Sequence, residues 1–150
     1  AAFFTPNGNP QSMFNLMDPG YEQHNPEFKR FGELNHLQGR EEFTALMSMI
    51  QSGGPNPFAP PPGQKPPPRG NPLYRIIADC NMVVVLQQRY LPDPQHKGNF
   101  YEAFWFDAWR VKDGKLAEHW DAATIPTPVP EFLKVPLKDM KKTGGTPSGH

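Results

Sequence analysis

One cysteine, no net charge and no long apolar run bound this chain before any motif is considered. A single thiol, Cys80, excludes an intrachain disulfide and slightly favours a reducing, cytoplasmic compartment, with export left open. Fifteen basic against fifteen acidic residues leave no basic face to read nucleic acid. No apolar stretch approaches the roughly 20 residues that span a bilayer, so a soluble protein without a membrane partner is expected. There is no Ser nucleophile motif, phosphate loop, dinucleotide fingerprint or His-Glu-x-x-His pair, so no cofactor and no metal are expected. Cys80 sits in a predicted turn with no evident base, which reads as an inert thiol. The chain opens on Ala1-Ala2-Phe3-Phe4 without an initiator Met, which suggests a processed or trimmed product.

Proline is abundant instead, at twenty residues in all. From Gly53 to Pro72, thirteen of twenty positions are Pro or Gly, which reads as a long loop inserted within one domain. The loop follows the strongest helix signal, Gly39 to Ile50, where Phe43, Leu46, Met47 and Ile50 share one face. A shorter helix is expected at Pro10 to Met17, stopped by Asp18-Pro19-Gly20. An extended segment follows at Tyr21 to Asn25, before Pro26. Beyond the loop, Leu73–Ala78 and Met82–Tyr90 read as strands joined at Asp79-Cys80-Asn81. Two further strands, about Phe100–Val111 and Lys115–Thr124, enclose a turn at Lys112-Asp113-Gly114. The end, Pro126 to His150, reads as a surface tail, and its lysines 138, 141 and 142 as solvated charge. Helices followed by a meander of long antiparallel strands predict an α+β fold with helices on one face of a curved sheet.

The last strand pair carries the chemistry. Trp105, Asp107 and Trp109 alternate onto one face of the first strand, and His119 and Asp121 onto one face of the second. A two-residue turn would set His119 and Asp121 beside Phe106 and Ala108. A three-residue loop would set Asp107 opposite His119 and Trp105 opposite Asp121. The second register is preferred because it gathers the polar groups on one face. The reverse face, with Phe104, Phe106 and Trp120, is apolar as well, and a second copy of the chain is the simplest cover for it.

With these residues in view, a resemblance emerges. Asp107–Asp121 (DAWRVKDGKLAEHWD) resembles the signature of SnoaL-like polyketide cyclases, and Tyr21–Pro26 (YEQHNP) is similar to the entry segment of the same family. The resemblance covers about residues 21–125 of a single domain, 1–150, with the insertion at 53–72 and the tail at 126–150. It implies the nuclear-transport-factor-two-like fold: a cone-shaped curved antiparallel sheet wrapped by helices, often a homodimer through the sheet. It implies Asp121 as acid/base carboxylate, with His119 and Asp107 assisting and His24 on the pocket wall. Tyr21, Asn25, Trp105 and Trp109 would contact the substrate, and His24 or Tyr21 would steady an enolate oxygen. The implied activity is cofactor-independent proton transfer, as in aldol-type cyclisation or isomerisation, on a small apolar or aromatic molecule. A non-catalytic ligand-binding or dimerisation module is the alternative, and water activation of the epoxide-hydrolase kind is a weaker one. Three features depart from the pattern: the proline insertion, curtailed N-terminal helices with Ala1–Phe4 as a remnant, and Leu86 where many relatives carry a His.

Overall fold

The computed structural model describes residues 10–55, 63 and 65–140. Ala1–Phe4, the middle of the proline insertion and the end of the tail lie outside them. The described chain is α+β: three helices and one strand, then four more strands. Helices α1 (Pro10–Leu16), α2 (Pro26–Asn35) and α3 (Arg40–Gln51) are interleaved with strand β1 (Met17–Gln23). Strands β2 (Arg75–Asp79), β3 (Met82–Pro92), β4 (Phe100–Lys112) and β5 (Lys115–Asp121) complete the sheet, in the order β1-β5-β4-β3-β2. No helix among the described residues is long and apolar enough to cross a membrane.

The meander β2 to β5 is antiparallel as expected, but β1 adds to β5 in parallel, so the sheet is mixed. Asp18-Pro19-Gly20 does not stop the chain: β1 runs through it, with a register shift between Met17 and Glu22. Helix α2 is an addition to the elements expected from sequence. Asn25 is its N-cap, accepting from the Glu27 and Phe28 amides at 2.8 and 3.2 Å, and Pro26 takes the first helical position. Proline hinders helix in the residue before it, yet its fixed φ and missing N–H suit the first turn. Gly39 starts α3 at φ +57, where a Cβ would press into the Tyr21 carbonyl.

The helices cover one face of the sheet. Phe28, Phe31, Phe43, Leu46 and Met47 pack with Tyr21, Val85 and Trp109 in one buried cluster. Phe132 and Leu133 join it, at 3% and 0% exposure. The segment after residue 126, expected as a surface tail, is therefore anchored in the core as far as these two residues. It forms 3-10 turns at Glu131–Leu133 and Leu137–Asp139, and Arg30 Nε donates to the Leu133 carbonyl at 2.6 Å. The outer face of the sheet stays bare among the described residues: Phe104 and Phe106 are 48% and 44% exposed.

Candidate active site

Register decides which side chains meet. The β4–β5 hairpin closes on the two-residue turn Asp113-Gly114, both at positive φ, with Lys112 opposite Lys115. That is the register not preferred from sequence, and on its own it would turn His119 outward. A bulge corrects it. Val111 pairs with Leu116 but Arg110 with Glu118, so Ala117 is an extra residue on β5. Beyond the bulge, Trp109 faces His119 and Asp107 faces Asp121. The polar groups do share one face, although Asp107 lies opposite Asp121 rather than His119.

The resulting cluster is buried at its centre and open at its rim. Asp107 and His119 are 7% and 5% exposed, and Asp121 is half-buried. His119 Nε2 lies 3.2 Å from Asp107 Oδ1, and Gln87 Nε2 donates to Asp107 Oδ2. His119 Nδ1 lies 2.9 Å from Gln23 Oε1, which also accepts from the Asn25 backbone N–H at 3.0 Å. A backbone amide can only donate, so Gln23 presents its oxygen there, and His119 carries a proton on Nδ1. The indole of Trp109 stacks on the His119 ring at 5.1 Å, which fixes the imidazole plane.

Asp121 is held from both sides. Its Oδ2 accepts from Asn25 Nδ2 at 2.6 Å and its Oδ1 from the Ala123 N–H at 2.9 Å. Asn25 thus joins the α2 cap to the carboxylate and orients Asp121. Tyr21 is 2% exposed, and its hydroxyl accepts from Gln23 Nε2 at 3.2 Å. Burial, then the fields of Asp121, Glu42 and Asp107, hold the phenol proton on. Trp109 is buried behind the imidazole, whereas Trp105 is half-buried at the rim.

Two residues lie apart from the cluster. His24 does not reach the cluster, because it follows Gln23 and its side chain turns to the opposite face. It stacks on Trp120 at 5.0 Å, and its Nε2 lies 3.1 Å from Glu118 Oε1. Glu118 is held below the usual carboxylate range by Arg110, 2.6 Å away, and then by His24. Leu86, standing where a pocket His was expected, points to the outer face opposite Phe106, and its neighbour Gln87 supplies the inward polar group.

Gln23, Gln87 and Arg89 were not singled out from sequence. Gln87 and Arg89 continue the inward alternation of Val83 and Val85, so two polar residues at the end of a β-branched run were the available signal. Asp107, His119 and Asp121 bring ligand atoms within 4.8 Å of one another, as do Glu22, His24 and Glu118, and either set could hold a small cation. A separate cleft of about 780 Å³ opens between β1, α2 and the start of α3. It is lined by Tyr21, Gln23, His24, Lys29, Glu33 and Glu42 among others.

The class of molecule is therefore an α+β fold with helices on one sheet face and a buried Asp–His pair beside a half-exposed Asp. No protein-family model matches this sequence, and no curated protein matches it. Among solved structures it is similar to wild-type IdmH, a candidate polyketide cyclase from Streptomyces antibioticus. That match has 18% identity over 79% of this chain and 82% of that one, with a TM-score of 0.47. It is also similar to an NTF2-like protein of unknown function from Burkholderia pseudomallei, at 15% identity over 76% and 77% of the two chains (TM-score 0.46). TsrD from Streptomyces laurentii matches at 16% identity over 80% and 79%, with a TM-score of 0.43. These are likenesses of fold, at identities that carry no residue role across.

Proposed function

We propose that this chain is a cofactor-independent enzyme of small molecules in which Asp121 is the general base and acid. The observation that carries this reading is the contrast within the cluster. Asp107 and His119 are sealed and engaged at every hydrogen-bonding atom, while Asp121 is half-buried. Among the described residues each Asp121 oxygen accepts one hydrogen bond, which leaves it a second lone pair for a proton. The substrate class is an apolar or aromatic carbonyl compound with an acidic adjacent carbon. Asp121 takes that proton and becomes a carboxylic acid, and the substrate becomes an enolate. The proton then returns to carbon in an isomerisation, or to the alkoxide formed when the enolate carbon attacks a second carbonyl. The Asp107–His119 pair links β4 to β5 beside Asp121.

Exchange of the α-protons of 1-tetralone and 2-tetralone into D2O, followed by NMR, tests the base directly. Asp121→Asn is expected to slow catalysed exchange by at least about 100-fold, the usual scale of a positioned base. Exchange unchanged in that variant removes Asp121 from the mechanism. A non-catalytic binding or dimerisation module remains the second reading, favoured by one feature, the exposed apolar outer face at Phe104 and Phe106.

A further inference from the structure

Arg89 stands at the rim of this cluster with neutral anchors only. Its Nε and Nη2 both donate to Gln87 Oε1, at 3.3 and 2.9 Å. Its guanidinium lies over the Trp105 ring, 4.7 Å from the centroid. Gln87 turns its other end to Asp107, so one side chain links the cation to the buried pair and fixes the orientation of both. Among the described residues, no carboxylate comes within ion-pairing distance of Arg89. Burial works against its charge, while the more distant Asp107 and Asp121 support it.

A partly desolvated arginine is normally matched by a carboxylate, since taking a charge out of water is costly. Here the fork is held rigid by an amide and an indole, and its Nη1 edge has no partner among the described residues. Arginine suits such a position better than lysine, because a planar fork meets a planar oxyanion with two hydrogen bonds. Trp105 is only half-buried, and its ring offers a flat apolar surface beside that fork.

We propose that Arg89 is the anion anchor of this site, and that its ligand is a planar aromatic acid or enol. The oxyanion docks on the guanidinium and the ring lies against Trp105. The inference rests on the reading of Asp121 as base, since an enolate formed there would find its counter-charge in Arg89.

The test uses the full chain and two isosteric probes, 2-naphthoate and the neutral 2-naphthamide, titrated by tryptophan fluorescence at low salt. Wild type is expected to bind the carboxylate at least tenfold more tightly. Arg89→Gln is expected to bring the two affinities within a factor of about two, and Asp121→Asn to keep the preference. Equal affinities in wild type overturn the proposal, as does binding of neither probe at millimolar concentration. A folded Arg89→Gln protein that keeps the preference overturns it too. The wild-type arm decides even if the variant fails to fold. A preference lost in Arg89→Gln, alongside tetralone exchange unaffected in Asp121→Asn, would leave the anchor standing and the base refuted.

Discussion

At the scale of single residues, Glu42 makes the clearest demand on solution conditions. It is 2% exposed, its Oε2 has no hydrogen-bond partner among the described residues, and Lys29 approaches its other oxygen only to 3.9 Å. Gly32 lies flush against it, where a Cβ would stand 2.6 Å from Oε1. Burial pushes its carboxyl from 4.5 to about 7, with Lys29 pulling down and Glu33 pushing up. The folded form thus holds this proton more tightly than the unfolded form. The stability it contributes is complete below about pH 4.5, falls as pH rises through 7, and stays lost above. The interval corresponds to roughly 3 kcal/mol at most. Glu42→Gln removes the titration. Urea unfolding at pH 5 and pH 8 is expected to show wild type losing about 2–3 kcal/mol more than the variant over that interval. Parallel losses would show that Glu42 does not titrate there.

The same scale marks how far the sequence could be read. Asp107, His119 and Asp121 were legible because acids and histidine among aromatic strand residues are conspicuous. Gln23 and Gln87 were not, because a neutral amide looks like ordinary surface until its two ends are seen meeting different partners. His24 misled because a motif says that residues are close in sequence, whereas strand alternation sends Gln23 and His24 to opposite faces.

At the scale of elements, α3, β3 and β4 were legible from periodicity, while α2 was hidden by a proline that opens a helix instead of ending one. The hairpin register was illegible for a different reason. Turn and bulge each change the parity of pairing, and only their combination puts His119 inward. Deleting Ala117 is therefore expected to leave the site intact. Lys112–Lys115, Val111–Leu116 and Arg110–Glu118 would become successive pairs of a regular ladder, still ending with Trp109 opposite His119. The cost is one buried alanine, about 1 kcal/mol. Ring 15N shifts of His119 that keep the Nδ1–H form in the deletion variant would bear this out. A shift to the other tautomer, or loss of the signal, would refute it.

At the scale of the whole molecule, the outer sheet face sets the behaviour in solution. Ile77, Phe104 and Phe106 are 61%, 48% and 44% exposed, and a homodimer through this face is the proposed cover. Sedimentation velocity is expected to show a dimer in wild type at micromolar concentration and a monomer in Phe106→Glu. A monomeric wild type at 100 μM, on the order of a hundredfold above that range, would remove the sheet dimer. The apolar outer face was legible in the alternation of β4, whereas the anchoring of Phe132 and Leu133 was hidden among prolines.

The partners that meet in the site are far apart along the chain: Gln23 and His119, and Asn25 and Asp121, are each separated by 96 residues. At synthesis rates of about 5–20 residues per second, roughly 5–20 s pass between the two halves leaving the ribosome. Through that delay Gln23 and Asn25 lack His119 and Asp121 and keep only local partners, the Tyr21 hydroxyl and the first amides of α2. A nascent chain halted before β5 has emerged would carry α1, α2, α3 and Asp107, but neither His119 nor Asp121.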